Sequence, residues 1–208
     1  MKVIGINGSP RAEGNTALAL REMAKELQTA GIEMEIIQVG NKPVRGCLAC
    51  GTCARKKDEK CVMTDDIVNE MIQKLKGADA IVLGSPVYYA GIAGTMKSFC
   101  DRVFYVGSAN GGLFDSKVGA ALVAVRRSGG SAAWAGLNYY LTISKMAVAG
   151  SSYWNIVHGA LAGEAEADAE GLQTVRNTAK NIAWLLRMKE SGAEPPVYDT
   201  GNRTNFIR

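Results

Sequence analysis

Apolar residues gather in five short runs along the chain: Val3 to Asn7, Met34 to Val39, Ala80 to Ser85, Val118 to Val125 and Tyr153 to His158. Each run is nearly continuous in hydrophobicity and does not alternate, which is the pattern of strands buried on both faces. The stretches between them carry the spacing of amphipathic helices. The first, about residues 15–30, sets Ala17, Leu20, Ala24 and Leu27 on one stripe. A second is expected to start with Thr64 as N-cap, to hold Asp65 and Asp66 in its first turn where they favour the helix dipole, and to continue through Ile67, Met71 and Leu75. Two more are expected over about 94–104 and 132–147, and the last, about 168–189, aligns Leu172, Val175, Ala179, Ile182 and Leu186.

Strands alternating with helices imply right-handed crossovers and an α/β fold, an open parallel five-stranded sheet with helices on both faces. The expected strand order is the flavodoxin-type 2-1-3-4-5, which places a ligand at the carboxyl edge, at the switch point between strands one and three. One domain is expected over residues 1–190, with a cysteine loop inserted at 41–62. The tail, 191–208, carries Pro195-Pro196 and several polar residues, so it is expected to pack on a surface or a neighbouring subunit and to bury Phe206 and Ile207 there.

The 208 residues suffice for one sizeable core, and 47% hydrophobic with 21% charged residues describes an ordinary soluble protein. The apolar start is far too short for a signal segment and no stretch approaches a membrane span, so a cytoplasmic protein is expected. The segment 41–62 carries Lys42, Arg45, Arg55, Lys56, Lys57 and Lys60 against Asp58 and Glu59, an excess equal to the whole net charge of +4. So local an excess is no nucleic-acid footprint; it suits an acidic redox partner or a negatively charged cluster, or else is simply solvated.

Between the first strand and the first helix runs Ser9-Pro10-Arg11-Ala12-Glu13-Gly14-Asn15-Thr16. A helix start offers free N–H groups, Ser9, Asn15 and Thr16 add side-chain donors, Gly14 lets the chain approach, and Arg11 adds charge. The loop lacks both the Gly-Lys-Ser/Thr ending of a nucleotide loop and the Gly-x-Gly-x-x-Gly of a dinucleotide site. A terminal phosphate monoester, as in FMN, suits it; the plain alternative is that these residues only cap the helix.

Two further loops fall on the same edge. After strand three come Ser85, Pro86, Val87, Tyr88, Tyr89 and Gly91, in which glycine permits close backbone approach to a planar ring and the tyrosines offer ring faces or hydroxyls. After strand four come Arg126, Arg127, Ser128 and Gly129, where either arginine can face the ring or phosphate or lie solvated. His158, the only histidine, is expected to be packed or hydrogen-bonded and not catalytic, and no catalytic residue stands out.

Cys47, Cys50, Cys53 and Cys61 follow the spacing Cys-x2-Cys-x2-Cys-x7-Cys. In a reducing compartment such a set points to metal or redox chemistry and not to disulfides. A tight triplet with a fourth thiol nearby fits a cuboidal [4Fe-4S] cluster; zinc, which prefers separated Cys pairs, and cysteines without a cluster are the alternatives. Cys100, outside the set, is expected to be a buried small hydrophobe.

Together these motifs resemble the iron-sulfur flavoproteins within the NAD(P)H-dependent FMN reductase group. The resemblance is carried by Gly8-Ser9-Pro10-Arg11 with Gly14-Asn15-Thr16, the cysteine set, Gly84-Ser85-Pro86-Val87-Tyr88, and Met96-Lys97 with Asp101-Arg102. It implies a flavodoxin-like fold, one FMN and one [4Fe-4S] cluster per subunit, and a homo-oligomer, dimer or tetramer, in which the cluster and flavin of neighbouring subunits approach one another. The expected function is electron transfer between cluster and FMN to a small-molecule acceptor, fed by a ferredoxin-like donor or by NAD(P)H. A cluster-free NAD(P)H-dependent FMN or quinone reductase, working by hydride transfer, is the alternative; a flavin or metal sensor without turnover is a third reading, disfavoured by the lack of a DNA-reading helix.

Overall fold

A computed structural model describes residues 1–192, 194–199 and 204. Strand β1 (Lys2–Asn7) pairs in parallel with β2 (Glu33–Gln38) on one side and β3 (Ala80–Tyr88) on the other, and β5 (Val118–Val125) continues the sheet beyond β3. Val3, Ile4 and Ile6 are fully buried because helices cover both faces. Ile4, Ile6, Ile81, Leu83 and Val123 pack with Met71, Ile72, Phe99, Val103 and Leu137 from α3 (Val68–Lys76), α4 (Gly94–Ala109) and α5 (Gly130–Ile143). Their neighbours in sequence, Val3, Val82 and Leu122, pack with Leu20, Leu27, Val175 and Ile182 from α1 (Asn15–Thr29) and α6 (Ala169–Glu190). The alternation of faces explains why the middle of each of these strands is apolar on both sides. Edge strand β2 is only half-buried along most of its length, contrary to the expectation of burial on both faces.

The open parallel flavodoxin-like sheet is present, in the order β2-β1-β3-β5, but its fifth position is shared by two short pieces. β6 (Ala147–Val148) pairs with Val118 and Gly119, and β7 (Ile156–His158) pairs with Val123 to Val125. Buried Asn155 fills the gap: its Nδ2 donates to the Ala121 carbonyl at 3.2 Å and its own carbonyl accepts from Val123 N at 2.9 Å. Those two β5 groups are thereby satisfied without a continuous ladder. The run expected from Tyr153 therefore becomes strand only at Ile156, and the exposed Tyr153 and Trp154 rings lie against each other at 4.9 Å. A two-residue strand, β4 (Gly91–Ile92), turns back antiparallel on the end of β3.

The helix expected from Thr64 begins only at Val68. Asp66, expected to favour its dipole as a first-turn residue, instead turns into the core to pair with Arg102, while its Oδ1 accepts the Val68 N–H at 3.0 Å. The helix expected over 132–147 starts at Gly130 and stops at Ile143, releasing Ala147 to β6. The cysteine segment, read as a loop, contains a short helix, α2 (Thr52–Lys56). In the tail, the Tyr198 ring lies 4.7 Å from Lys145 Nζ while Val197 is exposed; Phe206 and Ile207 lie outside the described residues. Among the described residues no helix is long and apolar enough to cross a membrane.

Candidate functional site

The carboxyl edge of β1 runs into the first loop, whose path is set by three separate segments. Ser9 N donates to Asn7 Oδ1 at 3.1 Å, Asn7 Nδ2 donates to Gln38 Oε1 at 2.6 Å, and Gln38 Nε2 donates to the Ser9 carbonyl at 2.6 Å. Gly40 presses against the same turn, since a Cβ there would lie 2.3 Å from the Gly8 and Ser9 carbonyl oxygens. None of Asn7, Gln38 and Gly40 was among the residues expected from the sequence.

No side chain caps the start of α1, so its first N–H groups stay free and the capping alternative falls away. Ser9 Oγ accepts from Arg11 N at 3.1 Å and keeps its own proton to donate. Thr16 Oγ1 is buried and has no hydrogen-bond partner among the described residues, an arrangement buried polar groups rarely adopt. A loop so rich in unpaired donors, with Arg11 beside it, has the chemistry to hold a phosphate. Asn15 differs from expectation: its amide is committed to the 161–165 segment through Leu161 O, Gly163 N and Ala165 N, leaving its backbone N–H for the cleft.

One cleft brings together Ser9, Arg11, Gly14, Asn15, Thr16, Pro86, Val87, Tyr88 and Arg126, each expected from sequence, with Ala124, Gly159 and Ala160, which were not. The loop after β7 thus joins the other three at the same edge, a contribution that Gly159 hints at only by its position after the last apolar run.

The remaining ring-loop residues lie outside the cleft lining. Ser85 is fully buried; its hydroxyl donates to the Pro86 carbonyl at 2.8 Å and accepts from Ala93 N at 3.1 Å, holding the base of the β3–β4 hairpin. Tyr89 and Ala90 form the two-residue tip, with φ of 48° and 59°, a twist normally given to Gly or Asn. Tyr89 projects fully into solvent from this strained tip. No protein atom crowds Gly91, the nearest neighbour of a built Cβ being the Tyr88 carbonyl oxygen at 3.6 Å. Gly129, at φ 87°, is constrained instead: a Cβ would lie 2.7 Å from Ala90 Cα, so the third loop closes on the hairpin tip. Ser128 is exposed beside it. His158 is exposed, its N–H donating to Asp168 Oδ2 at 2.7 Å, and Cys100 is fully buried with its thiol pKa pushed up by burial.

A second pocket is walled by Cys47, Cys50, Cys53 and Cys61 together with Leu48, Met63, Arg102 and Tyr105. Its polypeptide is curled by left-handed residues at Ala49, Gly51 and Lys57. Cys47 and Cys50 are exposed while Cys53 is buried. The Thr52 hydroxyl and N–H hold the Cys50 thiol below its ordinary pKa, and burial raises that of Cys53, with Cys61 and Cys47 close enough to add to the effect. Among the described residues no three His, Cys, Asp or Glu side chains are gathered as a single metal ion requires.

A model of the NADPH-dependent FMN reductase family matches residues 1–160. An iron-sulfur flavoprotein of Methanocaldococcus jannaschii is 36% identical over 195 residues, covering 90% of this chain and 98% of that protein. One of Methanosarcina thermophila is 30% identical over 196 residues, covering 90% and 96%. A solved flavodoxin from the domain Archaea shares the fold, with a TM-score of 0.57 at 16% identity over 90% of this chain and 99% of that one. The chain therefore belongs to the NADPH-dependent FMN reductase family, in the group of these iron-sulfur flavoproteins, and is a flavin-dependent oxidoreductase.

Proposed function

We propose that the chain passes electrons between a [4Fe-4S] cluster, held by Cys47, Cys50, Cys53 and Cys61, and FMN, for delivery to a small acceptor. The observation that carries this reading is that all four cysteines line one pocket. Cluster ligands stand further apart than the ligands of one ion, because each binds a different corner of the cube. When bound, the cluster exchanges single electrons and FMN stores one or two.

The chain's own residues bind and orient. Ser9 and Thr16 hydroxyls, Arg11 and the free N–H groups after Gly14 and Asn15 take the FMN phosphate; Pro86, Val87 and Tyr88 offer backbone and ring face to the flavin, and Arg126 stands at the cleft's other wall. Ser85 and Gly91 shape the hairpin, while Ser128 and Gly129 close on the Tyr89–Ala90 tip.

Helix α4 links the two sites. Met96, near its start, packs on Gly8, and Tyr105 walls the cysteine pocket nine residues later, about 14 Å along the axis at about 1.5 Å per residue. A homo-oligomer, dimer or tetramer, that sets one subunit's cysteine pocket against its neighbour's cleft gives electrons a shorter path. Exposed Lys42, Arg45, Arg55, Lys56, Lys57 and Lys60 around the cysteine loop suit docking of an acidic, ferredoxin-like donor.

The second reading is a cluster-free reductase taking hydride from NAD(P)H, and the NADPH-dependent activity in the family's description favours it. Quantifying FMN, iron and acid-labile sulfide in protein purified without oxygen separates them. FMN with iron and sulfide supports electron transfer through a cluster; FMN alone, even after reconstitution, overturns it in favour of the hydride-transfer reductase.

A further inference from the structure

Arg102 on α4 is 1% exposed, and its guanidinium grips the cysteine segment from both ends. Nη1 donates to the Arg45 carbonyl at 3.2 Å, ahead of Cys47, and Nη2 to the Met63 carbonyl at 3.3 Å, beyond Cys61. Asp66 anchors the fork, pairing with Nη1 and accepting from Nη2 at 3.2 Å. That accounts for the terminal nitrogens but not for Nε, whose N–H is buried and has no hydrogen-bond partner among the described residues. Arg102 also walls the pocket shared by the four cysteines, with the Cys61 thiol beside the guanidinium. A buried donor left over on a residue that shares a pocket with four cysteines, one of them beside its guanidinium, asks for a sulfur acceptor.

We propose that Arg102 is a positioning residue of the cysteine site, closing the segment around an iron-sulfur cluster and donating Nε–H to its sulfur, so that it governs how firmly the cluster is held and at what potential it accepts an electron. This rests on the cluster reading given above. Each electron taken up adds one negative charge and no proton, so a cationic donor at the sulfur favours the reduced form and removing it lowers the potential. A purely structural Arg102 would affect loop stability and leave the potential where it was.

Two full-length variants test this beside the unmutated chain, all reconstituted with iron and sulfide without oxygen. Arg102→Lys keeps the charge and loses the fork. Arg102→Met combined with Asp66→Leu removes both buried charges together, so that neither is stranded and the fold is kept. The expected result in both is unchanged FMN content and loss of iron to a chelator about 10–100-fold faster, and in the double variant, which removes the cationic donor, a cluster midpoint displaced downward in a dithionite titration followed by absorbance. A folded, FMN-bearing double variant whose cluster keeps the unmutated midpoint, however fast it loses iron, overturns the proposal alone. Failure of the unmutated chain itself to take up iron and sulfide overturns the cluster reading and this role with it.

Discussion

Asn15 reaches across the carboxyl edge of the sheet to Leu161: its Nδ2 donates to the Leu161 carbonyl at 2.9 Å while its Oδ1 accepts from Gly163 N at 3.0 Å. The residue that opens the phosphate-loop helix therefore also pins the fourth loop of the cleft. Replacing it with leucine strands the buried amide partners at a cost of about 1–3 kcal/mol. The expected outcome of Asn15→Leu is faster hydrogen exchange across 159–165 together with weaker FMN binding. Gly159→Ala should act in the same direction, since its Cβ would lie 2.6 Å from Asn15 Nδ2. Unchanged exchange in that segment would show that the tie carries no load.

Thr16→Val isolates a single oxygen. Its Oγ1 has no partner among the described residues, so removing it should leave the stability of the flavin-free chain unchanged or slightly raised. FMN affinity should fall about ten- to a hundredfold, because a hydrogen bond to a charged group contributes about 1.5–3 kcal/mol. Calorimetric titration of the flavin-free variant reads one effect and thermal unfolding the other. Loss of stability without loss of affinity would place the phosphate elsewhere.

The legibility of these features in the sequence follows their locality. Ser9, Arg11 and Thr16 lie in one turn between a strand and a helix, where residue type and backbone geometry point the same way. The Asn7–Gln38–Ser9 linkage joins three segments through polar residues that look like ordinary strand ends, so nothing local marks it. Asp66 carried a good local helix-start signal that lost to a buried guanidinium thirty-six residues later. The last strand was over-read for a similar reason: Tyr153 and Trp154 are apolar, but Asn155 satisfies β5 in place of a ladder. Four cysteines at close spacing were legible as a set, whereas Arg102, which walls their pocket, lies forty-one residues beyond Cys61 and entered only through the Asp101-Arg102 resemblance.

The Asp66–Arg102 pair makes a stability prediction independent of any cofactor. The two side chains are 4% and 0% exposed, so Asp66→Ala leaves a buried guanidinium unpaired and should cost about 3–5 kcal/mol. Denaturant unfolding of the cofactor-free chain measures it. A loss below about 1 kcal/mol, the range of an exposed ion pair, would mean that water reaches the pair.

Acid should open the fourth loop. The Leu161 and Ala160 N–H groups hold Glu164 below the ordinary carboxylate range; for Asp168, burial opposes but the Gly171 and His158 N–H groups outweigh it, and its pKa is also lowered. A depressed folded pKa gives stabilisation that is complete above the unfolded value and lost as pH falls through the folded one. Flavin retention should therefore be level from pH 7 to about 5 and fall below about pH 4, where both carboxylates protonate. Flavin fluorescence across that range checks it; release between pH 5 and 7 would contradict the assignment.

The central claim, that one chain holds a one-electron centre and a two-electron flavin, is tested most directly by counting electrons. Reconstituted protein is titrated with dithionite without oxygen, and absorbance is followed to the end point. About three electrons per chain are expected, with bleaching of the broad cluster absorption accompanying that of FMN. An end point at about two electrons per chain, with flavin bleaching alone, would contradict it.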